Sequence, residues 1–280
     1  MDSRERVLIS AAELRTALAS GQRPAVLDVR WRLDQPDGHG PYLSGHIPGA
    51  VYASLDEDLS DHSATGRGRH PLPSGAAVQA AARRWGIREG QAVVVYDDWN
   101  RAASSRAWWV LTAAGIPNVR ILDGGLSAWT TAGGAVQTGP VDPPAGNVRV
   151  VHDDLYRGAL PTLSADDVQS GVMRTLLDAR APERYRGEVE PVDPIAGHIP
   201  GARNLPSTSL LRDDGGFAET AAILAAANVT EHPIGVYCGS GVTASVVLAA
   251  LACTGIDAAL FPGSWSQWSG EADRPVATGP

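Results

Sequence analysis

The sequence predicts an α/β protein made of two tandem copies of one domain, each a mainly parallel five-stranded sheet flanked by helices. Two observations carry this. The chain repeats itself in order, and each copy alternates short apolar runs with helical patterns. AVLDVR (Ala25 to Arg30) returns as TLLDAR (Thr175 to Arg180), and SGHIPGA (Ser44 to Ala50) as AGHIPGA (Ala196 to Ala202). VVVYDD (Val93 to Asp98) returns as IGVYCG (Ile234 to Gly239), and ILDGGLSAW (Ile121 to Trp129) as LFPGSWSQW (Leu260 to Trp268). Four collinear matches, offset by 139 to 152 residues, are the signature of a repeated structural unit.

The elements follow in order. AVLDV, AVVVYD and VRILD are apolar, β-branched and bounded by Gly, Pro or charge, and read as strands. Ala76 to Trp85, Ser104 to Ala114 and Thr243 to Leu251 are rich in good helix formers, with apolar positions spaced for burial. Continuous apolar strands alternating with helices imply a parallel sheet covered on both faces. Ligands of such sheets bind at the carboxyl ends of strands, against helix N-termini. The Pro- and Gly-rich stretch from Gly134 to Val150 lacks periodicity and reads as an irregular linker. The expected division is residues 1–138, a linker at 139–154, and residues 155–280.

Composition narrows the function. At 280 residues the chain accommodates two domains, and 44% apolar with 19% charged residues describes a soluble globular protein. No apolar run approaches the roughly 20 residues of a membrane span. The N-terminus lacks the pattern of a signal peptide, so a cytoplasmic location is expected. The formal net charge of −8 argues against nucleic-acid or anionic-membrane partners. All 23 cations are arginine; without lysine there is no Schiff-base chemistry and no P-loop lysine. The two cysteines, Cys238 and Cys253, can build neither a disulfide framework nor a zinc site by themselves.

Cys238 opens the segment Cys238-Gly239-Ser240-Gly241-Val242-Thr243-Ala244, placed between a strand and a helix. Glycines let such a turn curl so that successive N–H groups point inward, which stabilises a thiolate and then a persulfide anion. Ser240 adds a hydroxyl. Cys253, inside a helical pattern, reads as a packed core thiol.

The CGSGVTA loop, the duplicated D-x-R and GHIPGA segments, and a cysteine confined to the second copy resemble tandem rhodanese sulfurtransferases over nearly the whole chain. The loop is most similar to those of the 3-mercaptopyruvate sulfurtransferase subgroup; thiosulfate-preferring members usually carry two cations beside the cysteine, where this chain has Gly239 and Ser240. The resemblance implies ping-pong transfer of a sulfane sulfur through a Cys238 persulfide to a thiophilic acceptor (cyanide, a small thiol or thioredoxin). It implies no metal or organic cofactor. Asp97 stands at the place of Cys238 in the first copy, which implies that this copy is catalytically inactive.

The resemblance also names assistants. Gly239, Gly241, Val242 and Thr243 belong to the donor-binding loop. Arg184, four residues after the D-x-R arginine, is expected on the donor carboxylate, and a second arginine is expected at position 193, where this chain has Asp193. Arg186 or another arginine could substitute. Asp56 and His70 match the family's relay to the loop serine, with His62 a rival to His70. Arg180 is expected to brace its own domain, His46 and His198 to be structural, Trp265 and Trp268 to pack the core, and Trp99 to be a candidate for the cleft lining. Thiosulfate:cyanide transfer is the enzymatic alternative. A Cys-x5-Arg phosphatase is disfavoured by Ala244 at the arginine position, and a non-catalytic sulfur-carrier docking module by the intact loop.

Overall fold

The computed structural model describes residues 2–21 and 23–280. Among the described residues, nine strands form two parallel sheets. The first contains β1 (Leu8–Ile9), β2 (Ala25–Asp28), β3 (Val51–Tyr52), β4 (Val93–Tyr96) and β5 (Val119–Leu122), in the order β1-β5-β4-β2-β3. The second contains β6 (Thr175–Asp178), β7 (Arg203–Asn204), β8 (Ile234–Tyr237) and β9 (Ala259–Leu260), in the order β7-β6-β8-β9. The repeat is therefore structural, with the register of β2 on β4 (Ala25 opposite Val93) reproduced by β6 on β8 (Thr175 opposite Ile234). The second sheet has four strands where five were expected. Its fifth place is held by a single parallel bridge between Thr162 and Leu260. The Pro161-Thr162-Leu163 segment is too short to extend that pairing before the Ser164 side chain caps the next helix.

The central strands run as unbroken apolar segments because both of their faces are covered, and all four residues of β4 and of β8 are buried. Helix Gly75–Arg84 begins at Ser74, whose hydroxyl accepts from the Ala77 N–H, and buries Val78, Ala81 and Ala82. Helices Ala102–Ala113 and Ala244–Cys253 are buried on nearly every side, which explains their weak amphipathicity. They pack against each other and join the two domains through one apolar core that includes Trp109, Val110, Leu248 and Leu251. Residues 138–154 contain no helix or strand.

Both D-x-R segments end a strand as a buried ion pair. Arg30 donates to Asp28 at 2.5 Å and to the Gly45 carbonyl; Arg180 donates to Asp178 at 2.6 Å and to the Gly197 carbonyl at 2.7 Å. Each arginine thus ties its strand to its GHIPGA turn. His46 and His198 stack on Tyr42 and Tyr185, and each places Nδ1 within 2.9 Å of that tyrosine's carbonyl oxygen. Trp265 and Trp268 are core residues, with their indole N–H groups donating to the carbonyls of Ile195 and Pro275. The chain runs from β6 to β7 on one side and then to β8 on the other. The sheet direction therefore reverses between β6 and β8, and the carboxyl ends of such a pair are where ligands of parallel sheets bind.

Candidate active site

Cys238 follows β8 at that point of reversal. Its N–H donates to Ser264 Oγ at 3.1 Å, and its Sγ accepts from the Gly241 N–H at 3.2 Å. The carbonyls of Cys238 and Gly239 are engaged from behind by the N–H groups of Trp265 and Ser266. Gly241 is required twice over. Its φ is +78°, and a Cβ there would meet the Pro262 carbonyl oxygen at 2.5 Å. The thiol is nearly inaccessible, at 1% exposure. Val242 is buried, and Thr243 forms the N-cap of the following helix. Cys253 is a second buried thiol, at the C-terminal end of that helix, and burial pushes it up to about 12.

The N-terminal domain completes the site. Ser240 Oγ lies 2.8 Å from His70 Nδ1, and His70 Nε2 lies 3.4 Å from Asp56 Oδ1. The three groups expected to form a relay are therefore adjacent across the domain boundary. Burial pushes the His70 imidazole below its ordinary value, with Asp56 acting in the opposite sense; His70 in turn holds the Asp56 carboxyl low. His62 is half exposed and 3.9 Å from Asp56, while its ring packs edge-on to His70. Trp31 also packs edge-on to His70, at 5.7 Å between centroids.

Two arginines flank Gly239. A Cβ on Gly239 would lie 3.2 Å from Arg69 Nη2 and 3.6 Å from Arg184 Nη1. Arg184 sits where expected, but it already bonds Glu190 Oε1 at 2.6 Å and lies 3.3 Å from Asp193 Oδ2. Arg186 is not at the loop; it pairs with Glu188 at the surface. The second cation beside the loop is Arg69, whose guanidinium bonds Asp193 Oδ1 from the other domain. Arg69 stands immediately before His70, and that adjacency was the signal available in the sequence.

A second arginine had no such signal. Arg106 is fully buried in the interdomain helix Ala102–Ala113. It donates to the carbonyls of His70 at 2.9 Å and Leu59 at 3.2 Å, with longer contacts to Pro71 and to Gly241 of the cysteine loop. It has no ion-pair partner among the described residues. In the first copy the equivalent of the loop is closed: Asp97 pairs with Arg101 at 2.8 Å and accepts from the Ser104 hydroxyl at 2.7 Å. Trp99 is half exposed under the Arg32 guanidinium.

The Rhodanese-like domain family matches residues 10–132 and 162–271. The chain belongs to the rhodanese family. This rhodanese is 61% identical over its whole length to a Mycobacterium tuberculosis protein named "Putative thiosulfate sulfurtransferase SseB", of which the match covers 99%. It is 42% identical over 97% of its length to the "Probable 3-mercaptopyruvate sulfurtransferase" of Pseudomonas aeruginosa, matched over its full length. The crystal structure of SseA from Escherichia coli, one of the 3-mercaptopyruvate sulfotransferases, superposes with a TM-score of 0.80 at 32% identity, covering 92% of this chain and 98% of SseA. The protein is a sulfurtransferase of the 3-mercaptopyruvate or thiosulfate type. Among the described residues no helix is long and apolar enough to cross a membrane.

Proposed function

We propose that this rhodanese moves a sulfane sulfur from 3-mercaptopyruvate through a Cys238 persulfide to a thiophilic acceptor such as cyanide, a small thiol or thioredoxin. The observation that carries the reading is the Ser240–His70 contact at 2.8 Å beside a loop with no cation at positions 239 and 240. Breaking the C–S bond of mercaptopyruvate leaves an enolate that needs a proton, so a hydroxyl–imidazole relay has work to do there. The thiol proton of the donor passes through the Ser240 hydroxyl to neutral His70, whose other nitrogen faces Asp56. The Cys238 thiolate attacks the donor sulfur, and the C–S electron pair moves to carbon. The same proton returns to that carbon, giving pyruvate and a persulfide anion. The loop N–H groups, with the Gly241 N–H already on Sγ, hold the persulfide. Arg184 receives the donor carboxylate. Residues 1–138 act as a catalytically inactive copy that supplies Asp56 and His70, residues 139–154 link the copies, and residues 155–280 carry the nucleophile.

Thiosulfate is the second reading, favoured by the printed name of the 61% identical relative. Its cleavage releases sulfite and needs no proton. The test is kcat/KM for 3-mercaptopyruvate and for thiosulfate with one common acceptor. A mercaptopyruvate preference supports the first reading, and a thiosulfate preference replaces it with the second. Mass spectrometry of Cys238 after donor exposure is expected to show a gain of about 32 Da for one added sulfur.

A further inference from the structure

Position 193, where the resemblance implies a second donor-binding arginine, holds an acid that is almost wholly enclosed, its side chain 3% exposed. Its two oxygens are divided between two guanidiniums: Oδ1 faces Arg69 and Oδ2 faces Arg184. Those guanidiniums are the pair that flanks Gly239, one residue from the nucleophile. Arg69 is held at this spot. Its N–H donates to Ser266 Oγ at 3.1 Å, and the preceding Gly68, at φ +82°, lies so close that a Cβ would meet the Gly263 carbonyl oxygen at 2.5 Å. A carboxylate gripped by two arginines through separate oxygens is the arrangement a carboxylate donor would itself adopt.

We propose that Arg69 and Arg184 form the donor-anion clamp of this enzyme, and that Asp193 is a tethered carboxylate occupying it, which an anionic donor must displace. The clamp thus recognises small carboxylates or oxyanions, and Asp193 sets how strongly they bind. The inference deepens the proposed donor site and rests on Cys238 being the reacting centre. Asp193 is linked to the clamp by the chain, so its effective concentration is high and its competition is felt as weakened donor binding. Burial favours displacement, because it pushes the Asp193 carboxyl above its usual range. Glu190 remains on Arg184 and Arg180.

The test compares wild type with Asp193→Asn, Asp193→Ser and Arg69→Met/Asp193→Asn, using two alkylating probes of similar size. Iodoacetate is an anion and iodoacetamide is neutral; each loses iodide to the Cys238 thiolate and leaves a thioether identified by peptide mass. The rate ratio of iodoacetate to iodoacetamide is expected to rise about tenfold in Asp193→Asn and Asp193→Ser, the effect of returning one charge-assisted pairing to the incoming anion. It is expected to fall back when Arg69→Met is added. In turnover, KM for 3-mercaptopyruvate falls and carries most of the gain in kcat/KM. An unchanged ratio in both folded position-193 variants overturns the clamp, and a raised ratio that persists without Arg69 removes Arg69 from it. If the ratio rises while mercaptopyruvate is not turned over, the clamp stands and the choice of donor fails.

Discussion

Replacing Arg106 with methionine separates the structural value of a buried cation from its positioning value. Burial pushes the Arg106 guanidinium well below its ordinary value, down to about 10. At roughly 1.4 kcal/mol per tenfold change in proton affinity, this is about 3 kcal/mol of unfavourable burial at neutral pH. The penalty is fully present below pH 10 and shrinks as pH rises towards the unfolded value. Against it stand the two short hydrogen bonds to the carbonyls of His70 and Leu59, each worth about 1.5–3 kcal/mol for a charged donor. The terms nearly cancel, so Arg106→Met is expected to lose no more than about 3 kcal/mol in urea unfolding. Arg180→Met provides the scale. It leaves Asp178 buried without its partner, and is expected to lose about 3–5 kcal/mol. Activity follows a different rule. Arg106 reaches the backbones of both His70 and Gly241, so without it the relay and the cysteine loop lose a shared support, and kcat/KM for mercaptopyruvate is expected to fall about 10- to 100-fold. Equal destabilisation of the two variants would refute the near-cancellation. Full activity of a folded Arg106→Met protein would refute the positioning role.

Cys238→Ser is expected to abolish turnover and the persulfide mass gain while thermal unfolding stays within about 2 °C of wild type, since a hydroxyl replaces a thiol of similar size; retained turnover would remove Cys238 from the reaction. Ser240→Ala and His70→Asn are expected to lower mercaptopyruvate kcat about 10²- to 10⁴-fold, the usual range for a proton-transfer group, and to affect thiosulfate far less. Equal losses on both donors would mean that the relay only packs the loop. Because burial pushes the His70 imidazole below its ordinary value, the acid limb of mercaptopyruvate kcat/KM is expected at a lower pH than a free imidazole would give. The folded form binds the His70 proton less readily than the unfolded chain, so its stabilising contribution is complete above about 6.5 and is lost as pH falls through the folded value. Asp56→Asn removes a group that raises His70, and is expected to shift the acid limb lower still; a shift upward would contradict the contact.

Legibility in the sequence tracked how local each feature is. The repeat, the strands at Ala25, Val93 and Val119, and the cysteine loop could be read because each is specified within one short window of residues. The fifth strand of the second sheet could not. A bridge at Thr162 differs from a two-residue strand such as β1 by a single hydrogen-bonded step, and no composition distinguishes them. Arg184 and His70 were identifiable by their offset from motifs. Arg106 was not, because its importance comes from helix Ala102–Ala113 packing against Ala244–Cys253. That burial brings a first-copy side chain beneath the second copy's loop, and no spacing along the chain encodes the distance between them.

This geometry gives the duplication a physical rationale. Asp97 lies at the carboxyl end of β4 as Cys238 does at the end of β8, but Arg101 and Ser104 saturate its carboxylate. The first copy therefore presents no free anion or nucleophile of its own at that point. Its loop from Leu59 to Pro71 instead extends across the boundary with His70 at Ser240 and Arg69 at Gly239, while its helix directs Arg106 at the base of that loop. A single copy has the nucleophile loop but lacks these three groups. The isolated C-terminal copy would also expose the apolar face of Ala244–Cys253, which Trp109 and its neighbours cover in the intact chain. The groups proposed as relay, second cation and buried brace all arrive through one interface, so a substitution that loosens the interdomain seam should reduce mercaptopyruvate turnover before it unfolds either sheet.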